Sequence, residues 1–168
     1  MKKMILLIAA LLVSASYAGA QIRIGAKASA TVSRDLKAVE GWQAGIVPKI
    51  RIPILGLGVQ PEVLYAYSSR GGENRSWLNV PVNLFWQLGL PIVKPILLAG
   101  PYFGYTLKRT ENNDLKLDPF NWGIGLGAGV EIIKIQVEAR YNFAVKSETG
   151  GSINLANNTL NVSLVYFF

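Results

Sequence analysis

Between residues 21 and 168, apolar residues recur at every second position, in one segment after another. No segment there carries a 3.6-residue apolar period long enough for a helix. Period two marks strands with one apolar and one polar face. It is clear over residues 22–30, 42–52, 57–67, 78–86, 120–132, 133–145 and 160–168. Residues 95–107 are apolar on both faces, so they read as a strand of undetermined phase. That makes eight strands in an all-β chain. The apolar phase flips between Ile132 and Ile133, which predicts a tight turn although turn-forming residues are absent. The competing reading is one long strand with a bulge that reverses its faces.

The connections alternate in length. Polar stretches near 33–40, 68–76, 108–119 and 146–158 are long, whereas those near 53–56, 88–94 and 132–133 are short. Short turns at one end and long polar loops at the other are the habit of outer-membrane barrels. Strands of about ten residues cross a bilayer when tilted. The expected architecture is therefore an eight-stranded antiparallel up-and-down transmembrane β-barrel. Pro48, Pro61, Pro81 and Pro101 fall inside expected strands, where each removes a ladder donor, so bulges are expected there.

The stretch NWGIGLGAGVEI places Gly123, Gly125, Gly127 and Gly129 at alternate positions. A dinucleotide-binding fingerprint needs Gly-x-Gly-x-x-Gly between a strand and a helix. Here the spacing is two throughout and a strand pattern follows. All four glycines share one face, opposite Trp122, Ile124, Leu126 and Ala128. A bare inner face would leave room for large side chains from other strands, such as Arg140 or Tyr102.

Lys2 and Lys3 precede an apolar run over residues 4–13, and Ala18-Gly19-Ala20 offers small residues for cleavage before Gln21. Residues 1–20 read as a secretory signal peptide and 21–168 as the barrel domain. The ten apolar residues of the run are too few for a membrane-spanning helix, which needs about 20. Without Lys2 and Lys3, the 17 Lys and Arg become 15 against 10 Asp and Glu, a net of +5. No Lys/Arg run exceeds two, which speaks against nucleic acid. The chain has no Cys, which excludes disulfides, and no His, which removes the commonest general base and metal ligand. No catalytic, cofactor or metal site is expected.

The polar faces hold Arg23, Lys27, Lys49, Arg51, Glu62, Glu131, Glu138 and Arg140. Turned inward, these supply one another with partners, and the other face shows lipid a band of Ile, Val, Leu, Trp and Tyr. Trp42, Tyr67, Trp77, Trp86, Phe120, Tyr141, Phe143, Tyr166 and Phe168 lie near strand ends, as interfacial girdles require. The terminal NVSLVYFF places Tyr166 and Phe168 on the outward phase, in the manner of a C-terminal signal for the barrel-assembly machinery.

The stretches QPEVLYAYSSRG, WLNVPVNLFWQL, LLAGPYFGYTL, FNWGIGLGAGVEI and VEARYNFAVKS, with the terminal NVSLVYFF, resemble the porin-family outer-membrane β-barrel proteins common in Bacteroidetes. The resemblance spans residues 21–168, and several of the strand prolines fall within its most specific pieces. It implies an eight-stranded barrel in the outer membrane and no reaction.

Three functions follow as expectations. The first is a structural or interaction barrel with a lumen filled by side chains. Its loops would carry Arg70, Arg75, Lys108 and Arg109 toward lipopolysaccharide phosphates or a protein partner. The second is a narrow, weakly anion-selective pore for a small solute, drawing on the excess of cations in the strands. The third, an enzyme, lacks the histidine of a Ser-His-acid relay, and Asp35, Asp114 and Asp118 have no evident partner. A soluble lipocalin-like ligand-binding barrel, with its faces reversed, is the remaining alternative.

Overall fold

The computed structural model describes residues 21–32, 39–52, 55–70, 73–109, 120–146 and 158–168. The expected signal peptide lies outside them, as do Asp35, Asp114 and Asp118. Among the described residues nine strands run in chain order: β1 (Gln21–Val32), β2 (Val39–Ile52), β3 (Leu57–Pro61), β4 (Val63–Arg70), β5 (Glu73–Gln87), β6 (Val93–Arg109), β7 (Phe120–Ile132), β8 (Ile135–Lys146) and β9 (Thr159–Phe167). All pairings are antiparallel, and β1 pairs with both β2 and β9, which closes the sheet.

The barrel nevertheless has eight staves, because β3 and β4 are two halves of one. Both halves pair with β2 and with β5 in a single register, as Ile50↔Val59 and Ile46↔Val63 show on one side. Pro61↔Val82 and Leu64↔Asn79 show the same on the other. The stave breaks at Glu62, whose N–H donates to the Pro81 carbonyl at 2.8 Å. Closure leaves no open edge, as a spanning sheet requires.

The side chains separate by face. Ile24, Ile46, Leu84, Leu126 and Leu164 stand outward and exposed, while Lys49, Glu62, Glu131 and Glu138 are buried inside. This is the reverse of a soluble barrel, so the lipocalin-like alternative fails on the orientation of its faces. Residues 95–107 take the phase their neighbours impose. Ile96 and Leu98 point into the lumen, and Leu97, Phe103, Tyr105 and Leu107 point out. Outward aromatics meet near the end where β2 and β7 begin: Trp42 lies 5.8 Å from Tyr65, and Phe103 stacks on Phe120 at 6.3 Å. The opposite end carries Trp86, Tyr166 and Phe168.

The prolines do not bulge. Register shifts fall at Thr31/Val32, Ser76/Trp77 and Trp122/Gly123. At the prolines the ladder opens and resumes in the same register. Pairing along β2 stops at Ile46↔Val63 and restarts at Ile50↔Val59, with Pro48 and Pro61 in the gap. Between β5 and β6 it passes from Pro81↔Tyr102 to Leu84↔Ala99, with Pro101 in the gap. A missing donor removes a hydrogen bond but does not require an extra residue. Keeping register also keeps every later side chain on its proper face.

The expected loop at 68–76 is corrected too. Arg70 pairs with Glu73, and Ser68 with Arg75, so both strands continue through most of this stretch. Likewise β6 runs on to Arg109, which pairs with Arg75.

The turn at the phase flip is present: Ile132 pairs with Ile135, leaving Ile133 and Lys134 as its two central residues. Ile133 has φ 56°, a left-handed conformation that crowds a β-branched side chain. Ile133→Gly is therefore expected to stabilise the barrel by about 1 kcal/mol, read as a raised urea midpoint at unchanged slope.

Candidate functional site: the filled lumen

Strand alternation sends one side chain in every two into a lumen whose width suits side-chain filling. The filling is layered. At the end carrying the β2–β3, β5–β6 and β7–β8 turns (the turn end), Phe85, Ile96 and Leu98 form one apolar cluster. Val47, Val165 and Phe167 form another. Two cations rest on these rings. Arg23 Cζ lies 4.7 Å from the Phe167 centroid, and Lys49 Nζ lies 4.7 Å from that of Phe85. The same cations meet Glu131: Arg23 Nη2 donates to Oε1 and Lys49 Nζ to Oε2, each at 2.6 Å. Gln87 adds a donor to Oε2 at 3.1 Å, and Lys49 also donates to Gln136 at 3.0 Å.

The middle layer is a four-membered ion cluster. Lys27 Nζ donates to Glu62 Oε2 at 2.8 Å and also to Glu138. Arg140 Nη2 donates to Glu62 Oε1 at 2.7 Å and to Glu138 Oε1 at 3.0 Å. Amides complete it: Gln60 and Asn83 donate to Glu62 at 3.1 and 3.0 Å, and Gln136 donates to Glu138 at 2.6 Å. Buried ions are tolerated when paired and hydrogen-bonded in this way. Toward the other end, the loop end, the lumen turns to neutral groups. Ser29 bonds Ser163 at 2.8 Å, Thr31 bonds Asn161 at 2.7 Å and Asn79 bonds Gln43 at 3.2 Å.

The glycine face of β7 is what admits this filling. A Cβ at Gly123 would lie 2.7 Å from Tyr102 Oη, and one at Gly125 would lie 3.2 Å from Arg140 Cδ. A Cβ at Gly129 would lie 2.9 Å from Glu138 Cβ. Each glycine stands where a Cβ would press on a side chain or on the neighbouring strand.

Of the eight charged residues assigned to the lumen, the structure brings seven into these two clusters. Arg51 joins neither, and its Nε is buried without a hydrogen-bond partner. Tyr166 and Phe168 point outward at the turn end, with rings 5.6 Å apart. Arg75 is in β5 rather than a loop: it donates to Thr106 at 3.1 Å and lies over Trp77. Arg70, Lys108 and Arg109 stand in strand backbone, and their side chains are outside the described part. Phe85 and Phe167, buried in the lumen at the turn end, are not among the residues expected there from sequence. The amides Gln43, Gln60, Asn79, Asn83, Gln87 and Gln136 fall on the polar phase in the sequence but are not among those assigned to the network. Their position on the inward phase is the signal that could have found them.

Solved structures share the fold. Neisserial surface protein A superposes with a TM-score of 0.65 at 19% identity, over 89% of this chain and 97% of that one. The outer membrane enzyme PagL gives 0.55 at 15% identity, over 86% and 98%. A major outer membrane protein from Thermus thermophilus gives 0.51 at 16% identity, over 89% and 100%. Curated protein sequences give no match. Residues 17–150 match the model of the outer membrane protein beta-barrel domain. With its closed eight-stave barrel and reversed faces, the chain belongs to that outer-membrane β-barrel family.

Proposed function

We propose that the protein is a non-conducting integral barrel of the outer membrane, exported through residues 1–20 and working through its loop end. One observation supports this above others. The lumen is occupied along its length by packed aromatics, an ion cluster and paired amides. The partners proposed for the loop end are lipopolysaccharide phosphates or a protein, met by Arg70, Arg75, Lys108 and Arg109. Tyr166 and Phe168 are the proposed contacts for the assembly machinery. With no histidine in the chain, a Ser-His-acid relay is unavailable to it.

The excess of lumen cations, with Arg51 outside both ion clusters, favours a second reading as a narrow anion-selective pore. Planar-bilayer conductance separates the two. The wild type is expected to be silent, and Phe85→Ala/Phe167→Ala to give discrete openings while still shifting on unboiled gels. Steady anion-selective openings in the wild type would overturn the closed-barrel reading.

A further inference from the structure

The lipid-facing wall has a groove of about 410 Å³ at the turn end. Val130 and Ile132 of β7, Ile135 and Val137 of β8, and Tyr166 of β9 line it. Ile133 and Lys134 bound it at the rim, and both are exposed. Lys134 is its one charged residue.

Two further observations converge on this rim. Ile133 holds φ 56° although glycine would sit there without strain, and its side chain is 73% exposed. Strain of this kind, kept in place, points to a use for the side chain. This end of the barrel also carries an excess of cations: besides Lys134, which faces the groove, Lys94 enters the ladder opposite Glu131, and Arg23 and Arg51 stand on the inward phase near the ends of β1 and β2. Glu131 is the only side-chain carboxylate among the described residues of this end. It is fully buried and already engaged by Arg23 and Lys49.

We propose that this groove binds one anionic phospholipid of the periplasmic leaflet, with the acyl chain along the Ile, Val and Tyr wall and the phosphate at Lys134 Nζ. The assignment rests on the outer-membrane reading above. An extended peptide would carry unsatisfied backbone groups into hydrocarbon. A second copy docked symmetrically would bring two Lys134 ammonium groups together. An acyl chain has no polar groups to satisfy, and a phosphate matches the field of the rim.

The test is native mass spectrometry of the mature chain released from micelles of equal phosphatidylglycerol and phosphatidylcholine. The wild type is expected to retain one phosphatidylglycerol in preference to phosphatidylcholine. Lys134→Gln should reduce that preference about fivefold. Ile133→Gly should hold less of either lipid while the barrel becomes more stable, which separates the groove from the fold. Equal retention of both lipids by the wild type, or an unchanged preference in Lys134→Gln, would overturn the proposal. A heat-dependent gel shift on each sample reports the closed barrel independently, so its loss in the wild type would fail the outer-membrane reading itself.

Discussion

Glu62→Gln is expected to destabilise the barrel by roughly 3–5 kcal/mol, the usual cost of leaving buried charge without its counter-ion. Glu62 is fully buried and accepts from Lys27, Arg140, Gln60 and Asn83. Lys27 and Arg140 then share Glu138 alone, and the four-membered cluster moves from neutral to a net positive charge. The urea midpoint of refolded protein in detergent measures the loss. Adding Lys27→Met restores neutrality and leaves the Arg140–Glu138 pair, so Glu62→Gln/Lys27→Met should regain most of it. If the double variant were no more stable than the single, the cost would lie in local packing at the break in the third stave and not in charge.

Most of the architecture was legible because one strand face had to be polar. Lys27, Glu62, Glu138 and Arg140 mark the inward phase on three staves, and the outward Ile, Leu and Val follow from them. Legibility fails where the lumen itself is apolar. Residues 95–107 show no polar face because Ile96 and Leu98 pack inward with Phe85. For the same reason Phe167 reads as a greasy neighbour of Phe168, although one ring is buried in the lumen and the other exposed. The proline gaps were hidden because a missing N–H can be absorbed by a bulge or by an opened ladder, and sequence does not distinguish them. Which carboxylate meets which cation was also out of reach. Arg23 and Glu131 are 108 residues apart, and the stagger of the closed barrel brings them level.

The glycines of β7 give the other large effect, because what each faces differs. A Cβ at Gly123 would run into the Phe143 carbonyl oxygen, and one at Gly129 into that of Val137. Neither oxygen can withdraw without moving β8. At Gly127 the nearest atom is the Ala139 oxygen at 3.0 Å, and at Gly125 the end of the Asn142 side chain at 2.7 Å. Gly123→Ala and Gly129→Ala should thus each cost about 1–3 kcal/mol, in the range of an overpacked core. Gly127→Ala and Gly125→Ala should cost less, since small displacements or a rotated amide relieve them. Gly123→Leu should fail to close, because the side chain must also occupy the space of Tyr102. It would run on unboiled gels at its boiled position. Equal tolerance of alanine at all four sites would mean that these glycines serve chain flexibility during assembly and not the packing of the lumen. A graded response ordered by the backbone oxygens would tie the alternate-glycine pattern to the close approach of β8 and the filled interior beyond it.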